Sequence, residues 1–247
     1  MNNMNAPVSR VAQLSNLDLV EVAAEKLLHR VDGLPGIGVM YGEAGRGKTI
    51  ACSALANRTR GYYVQMRSAW NRKALLEKVL FEMGIKPRGT ITNLLDQICE
   101  QIAASRRPLI IDEFDFCLTS DKMVELVRDI YEGSQGTMLL VGEEMLPQKL
   151  KKWERFHSRV MAWIPALPAT MDDAVKLAPI YAPGIAIAED LMAHVVQAAH
   201  GSVRRVCVNL TRIHEEANML AEDEMNLATW GKRELYTGEA PRRRAAA

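Results

Sequence analysis

Residues 42–49 read Gly42-Glu43-Ala44-Gly45-Arg46-Gly47-Lys48-Thr49, the pattern G-x-x-x-x-G-K-[ST] with every fixed position filled. The stretch follows a short apolar run, Gly36 to Tyr41, and opens a segment of helical character. Strand, glycine-rich loop and helix is the context in which this pattern cradles phosphate. The glycines let backbone N–H groups close around anionic oxygens, and the helix start aims its unpaired donors and positive dipole end at them. Lys48 is placed to reach the β- and γ-phosphates of a nucleoside triphosphate, and Thr49 to offer its hydroxyl to Mg2+. The whole loop, Gly42 through Thr49, is therefore the expected cofactor cradle.

Such a cradle needs a carboxylate for the cation and a group to activate water. Pro108-Leu109-Ile110-Ile111-Asp112-Glu113 supplies both at the end of an aliphatic strand, the end at which open α/β sheets bind ligands. Asp112 is expected to hold Mg2+ through its water shell, and Glu113 to polarise a water for in-line attack on the γ-phosphate.

Outward from these two motifs, strands alternate with helices. A helix from Asn16 carries Leu19, Val20, Ala23, Leu27 and Leu28 at helical spacing and closes at Asp32-Gly33. Further strands are expected at 61–66, 108–111, 137–141 and 159–164, and helices at 69–83, 93–104, 122–131 and 146–156. Uninterrupted aliphatic runs, rather than alternation, mark strands buried on both faces, so the reading is a five-stranded parallel sheet in a doubly wound α/β core. Beyond Pro165 and Pro168 the strand signals stop, and helices are expected near 171–179, 189–199, 202–221 and 223–236. The domain reading is an arm over 1–15, a nucleotide-binding core over 16–165, a small helical lid over 166–236 and a basic tail over 237–247 that includes Arg242, Arg243 and Arg244.

Composition agrees with a globular chain: of 247 residues 48% are hydrophobic and 25% charged, which argues against collagen-like or disordered scaffolds. Thirty-one Lys and Arg against 30 Asp and Glu leave +1, so nucleic-acid contact would have to come from local patches. Cys52, Cys99, Cys117 and Cys207 are widely separated and the five histidines lack zinc-ligand spacing, which reads as buried free thiols in a reducing compartment. With neither a leader-like apolar start nor an apolar run of membrane-spanning length, a cytoplasmic protein in a bacterial host is expected.

With both motifs in hand, the chain resembles the AAA+ ATPases, P-loop NTPases in which an α/β core and helical lid work in oligomeric rings or filaments. That resemblance implies ATP as cofactor and three further elements. A polar sensor should follow the fourth strand, where Gly142-Glu143-Glu144 makes Glu143 the candidate in place of the usual Asn, Thr or Ser. An arginine finger is expected before the fifth strand, with Arg159 first and Arg155 second in Trp153-Glu154-Arg155-Phe156-His157-Ser158-Arg159. A second-sensor arginine is expected in Gly201-Ser202-Val203-Arg204-Arg205, with Arg204 preferred over Arg205.

Within AAA+, residues from about 10 to 225 look like the phage Mu B-type transposition proteins, the transposon target-selection ATPases. The cues are the Val141-Gly142-Glu143 segment, the Phe156-His157-Ser158-Arg159 region and the compact lid opened by Gly201 to Arg205. The family implies ATP-dependent polymerisation on double-stranded DNA, recruitment of a transposase and hydrolysis stimulated by it. The Mu protein's added N-terminal helix-turn-helix domain has no counterpart in the roughly 35 residues before the first strand, so the resemblance moves DNA contact to the core. Loops after the early strands then nominate Arg67, Trp70, Arg72 and Lys73, and Lys149, Lys151 and Lys152 after the fourth strand, as sequence-independent phosphate contacts. Two other duties fit the same motifs: an ATP-gated scaffold with negligible hydrolysis, and an AAA+ ATPase acting as secretion-type motor, helicase loader or initiator.

Overall fold

The computed structural model describes residues 12–239; the Arg242–Arg244 cluster and most of the expected N-terminal arm lie outside them. Within that span the chain divides into two compact units. One comprises residues 16–44 and 48–166, the other residues 12–15, 45–47 and 167–239.

The first unit runs α1 (Ser15–Leu28), β1 (Ile37–Tyr41), α2 (Lys48–Thr59), β2 (Tyr62–Gln65), α3 (Arg72–Glu82), α4 (Ile91–Ser105), β3 (Leu109–Asp112), a 3-10 helix (Phe114–Thr119), α5 (Asp121–Ser134), β4 (Met138–Gly142), α6 (Leu146–Leu150), α7 (Glu154–His157) and β5 (Val160–Pro165). The five strands form one all-parallel sheet in the order β2-β3-β4-β1-β5. Aliphatic runs specify this because every residue of the inner strands faces a helix layer. Ile37, Val39, Leu109, Ile111, Met138 and Leu140 pack toward α3 to α7, while Met40, Ile110, Leu139 and Val141 pack toward α1 and α2. Strand period two thus places two separate apolar cores on the two faces of one sheet.

One expected helix is two. The apolar spacing of Leu146, Leu150, Trp153 and Phe156 reads as a single helix over 146–156, but the backbone leaves helical conformation at Trp153 (φ −109°, ψ 77°), where α7 starts anew. Trp153 is instead tied sideways, its indole N–H donating to Asp121 Oδ1 at 3.0 Å.

The second unit contains α8 (Met171–Tyr181), β6 (Ala186–Ile187), α9 (Glu189–Ala199), α10 (Val203–Leu220), β7 (Glu224–Met225) and α11 (Leu227–Trp230). Strand signals do not stop at Pro165, since β6 and β7 form a short parallel pair. That pair also replaces the first part of the expected 223–236 helix; only one turn, α11, is helical, started by an Asn226–Thr229 capping box. The rest is an extended strap held by buried Asn209, whose amide donates to Tyr236 O at 3.0 Å and accepts from Tyr236 N–H at 2.7 Å.

At the other end of the chain, Ser15 N–H and Oγ both donate to Asp173 Oδ1, at 2.8 and 3.0 Å, while Ala12 and Leu14 pack on the apolar core of this unit. Of the four thiols, Cys52 and Cys117 are buried, Cys99 and Cys207 are half-buried, and all are free. Among the described residues no helix is long and apolar enough to cross a membrane.

Candidate nucleotide site

The glycine-rich loop leaves the carboxyl end of β1 and enters α2 at Lys48. Its tip requires glycine: Gly45 and Gly47 lie at φ +84° and +82°, where a side chain is strained. Gly45 and Gly47 fall within the second unit, with Ser202 and Arg204. Ser202 caps α10 by accepting from Arg205 N–H at 3.3 Å, and the Arg204 amide donates to Gly45 O at 3.2 Å. A Cβ on Gly45 would collide with Ser202 Oγ.

Lys48 Nζ folds back on the loop, donating to Gly42 O at 2.7 Å and Glu43 O at 2.8 Å. Partial burial pulls its pKa down, against the opposing fields of Asp112, Glu113, Asp115 and Glu143. An ammonium satisfied only by backbone carbonyls, at the start of a twelve-residue helix, can exchange those carbonyls for phosphate oxygens.

Asp112 ends β3 and is 2% exposed. Its Oδ1 accepts from Glu113 N–H at 2.8 Å and its Oδ2 from the Tyr63 hydroxyl at 2.7 Å. Glu113 follows in the left-handed region (φ 54°, ψ 41°), an uncommon conformation for a non-glycine residue. Burial first, then the neighbouring Asp112, pushes its carboxyl above the usual range, and Lys48 partly counteracts them. Among the described residues no cluster of three or more His, Cys, Asp or Glu side chains forms a ready cation cage. The donor set instead suits a cation that keeps waters and shares phosphate oxygens, as Mg2+ does, with Thr49 and Asp112 as the protein's contribution. The loop, Lys48, Thr49 and Asp112 therefore fit a magnesium nucleotide.

Asp115, on the 3-10 helix, extends the acidic end of β3 to β4. Its Oδ2 accepts from Glu143 N–H at 2.7 Å and fills the space beside Gly142, and its Oδ1 pairs with Lys149 Nζ at 2.7 Å. The Glu143 side chain is 71% exposed, with Oε2 3.5 Å from Lys149 Nζ. The motifs do not mark Tyr63; the pairing of β2 with β3 shows which of Tyr62 and Tyr63 shares the Asp112 face.

The remaining candidates are more dispersed. Arg159 precedes β5 and donates from Nε to Glu132 Oε1 at 2.7 Å, whereas Arg155 on α7 is exposed and its side chain has no partner among the described residues. In the second unit, the Arg204 side chain is exposed while Arg205 lies against Gly238 of the strap. After β2, the Arg67 guanidinium lies 5.9 Å from the Trp70 ring, Lys73 lies 3.7 Å from Glu77, and Arg72 is exposed. After β4, Lys149 is held by Asp115, Lys152 pairs with Asp121 at 2.8 Å, and Lys151 is exposed.

Comparison with known proteins is consistent with this arrangement. A protein-family model described as an AAA domain matches residues 31–150, which hold the loop and the Asp112-Glu113 pair. No curated protein matches the chain. Among solved structures, the Orc1 protein of Aeropyrum pernix in complex with DNA is similar at a TM-score of 0.59 and 19% identity, covering 87% of this chain and 62% of that one. Cdc6p from Pyrobaculum aerophilum is similar at a TM-score of 0.61 and 14% identity, covering 89% and 66%. The chain thus spans just under two thirds of either protein, and at these identities the likeness is one of fold: an α/β core with a five-stranded parallel sheet followed by a mainly helical portion.

Proposed function

We propose that this chain is an ATP-hydrolysing AAA+ protein that assembles on double-stranded DNA and delivers it to a partner transposase. The observation that carries the ATPase part is that the loop entering α2 at Lys48 and the Asp112-Glu113 pair ending β3 both lie at the carboxyl end of one parallel sheet. Bound Mg2+ would supply neutralisation of the phosphate charge. Lys48 Nζ would exchange the Gly42 and Glu43 carbonyls for phosphate oxygens, Thr49 Oγ1 and Asp112 would hold the cation, and a Glu113 carboxylate oxygen accepts the proton of the attacking water. Arg159 or Arg155 is assigned to the neighbouring protomer's nucleotide and Arg204 to sensing the γ-phosphate, both from the AAA+ resemblance. Assembly of copies as a ring or helical filament, and the transposase, come from the resemblance to Mu B-type proteins.

DNA contact falls first to Arg67, Trp70, Arg72 and Lys73. Lys151 is the freest of the second group, since Lys149 and Lys152 are already in ion pairs. Binding to duplex DNA with a non-hydrolysable ATP analogue but not with ADP, read by pelleting and electron microscopy, is the expected result. A monomer indifferent to DNA defeats the reading. Glu113→Gln should trap the assembled state, and an assembly whose lifetime the substitution does not change would favour the scaffold duty.

The fold likeness to an Orc1 protein solved with DNA favours one second reading, an initiator-type ATPase. A footprint confined to defined positions on the duplex selects that reading; a uniform footprint retains target delivery.

A further inference from the structure

Asp112 is gripped from two directions. The residue just past its own strand provides the Glu113 amide on Oδ1, and the neighbouring edge strand provides the Tyr63 hydroxyl on Oδ2. In the β2–β3 register Tyr63 faces Ile110 and Gln65 faces Asp112, so the phenol spans two residues along the sheet, about 6.7 Å, to reach the carboxylate. Tyr63 packs on the face covered by α1 and α2, where Ile110 also lies, and the first turn of α2 carries Lys48 and Thr49. A second latch joins the same strands: Met66 N–H donates to Asp112 O at 2.9 Å. Packing alone does not ask for the hydroxyl, because phenylalanine would fill the same half-buried space.

We propose that Tyr63 is a positioning residue for Asp112, fixing the plane of its carboxylate so that the remaining lone pairs stay available to a hydrated divalent cation at the start of α2. The proposal rests on the nucleotide-site reading and deepens it by adding a residue that touches neither phosphate nor cation. Carboxylates that hold a metal through its waters have few contacts to fix their orientation, so an outer hydrogen bond has a large share in setting it. Without the hydroxyl, the Asp112 side chain can rotate about its terminal torsion, which is broad for aspartate. The substitution leaves the Asp112 charge in place and releases its orientation.

The test is Tyr63→Phe, read by equilibrium binding of a fluorescent ATP analogue to the full chain, in EDTA and across a Mg2+ titration. The expected result is unchanged affinity in EDTA and a rise of about 10-fold in the Mg2+ needed for half-maximal enhancement of binding. In an Asp112→Asn background the same change should add nothing, because Tyr63 acts through that carboxylate. A Mg2+ requirement within twofold of wild type, a lowered requirement, or a parallel loss of affinity in EDTA overturns the positioning role. Wild-type protein that binds the analogue neither with nor without Mg2+ overturns the nucleotide site itself, an outcome visible before any variant is made.

Discussion

Lys149 Nζ lies 2.7 Å from Asp115 Oδ1, and the other oxygen of that carboxylate accepts the Glu143 amide. The pairing ties α6 to the ends of β3 and β4 and removes Lys149 from the cations open to a phosphate backbone. Arg72, exposed beside the Arg67–Trp70 pair, has no such competitor among the described residues. Arg72→Ala is therefore expected to weaken duplex binding and reduce the slope of log affinity against log salt by about 1, the value for one lost phosphate contact. Lys149→Met should leave that slope unchanged and instead slow turnover by loosening the Gly142–Glu143 turn. Salt titrations of both variants decide the matter, and a reduced slope for Lys149→Met would return that residue to the DNA surface.

Substitutions in the loop and in the Asp112-Glu113 pair are expected to separate binding from chemistry. Lys48→Ala removes the ammonium at the start of α2, and nucleotide affinity should be lost. Glu113→Gln keeps the volume and the left-handed turn but not the proton acceptor, so affinity should persist while turnover falls by at least about 100-fold. Calorimetry and phosphate release on the two variants check this; tight binding by Lys48→Ala is the outcome the assigned loop does not survive.

Arg159 and Arg155 stand in different situations within one chain. Arg159 is paired with Glu132, and that carboxylate raises its already high pKa, whereas Arg155 is open. A finger acting on a neighbouring protomer must be available to it, so if Arg159 serves, it exchanges Glu132 for phosphate on assembly. Arg159→Ala should then preserve nucleotide affinity and lower turnover by roughly 10³-fold. Full turnover in Arg159→Ala together with loss in Arg155→Ala moves the role four residues upstream.

The core was legible in the sequence because its strands are aliphatic runs and its loop is a fixed pattern, both local properties. What stayed hidden depended on partners distant in the chain. Trp153 continues a helical apolar rhythm, yet Asp121, 32 residues earlier, draws its indole away and the helix breaks. Glu224 and Met225 have no strand signal of their own; they are extended because Ala186 and Ile187 pair with them. Tyr63 and Tyr62 are indistinguishable by residue type, and the sheet register alone gives one of them Asp112 and leaves the other to Gln101. Short polar or mixed segments carry little pattern, so tertiary pairing decides them.

The acidic stability of the second unit should depend on one carboxylate. Burial by itself would raise the pKa of Asp173, but the amide and hydroxyl donors of Ser15 and Thr170 outweigh it and hold the group below the usual aspartate range. Asp173 also completes the capping box of α8, accepting from Thr170 N–H at 3.0 Å. A carboxyl whose pKa is lower folded than unfolded stabilises the protein at pH values above the unfolded pKa, near 3.9, and loses that contribution as pH falls through the folded value. Asp173→Asn keeps the shape and removes the charge, so it is expected to cost about 1.5–3 kcal/mol near pH 7. The difference from wild type should shrink as pH drops below about 4. Denaturant titrations of both proteins between pH 7 and pH 3 measure it; a gap that stays constant over that range would mean that Asp173 acts through shape and not through its charge.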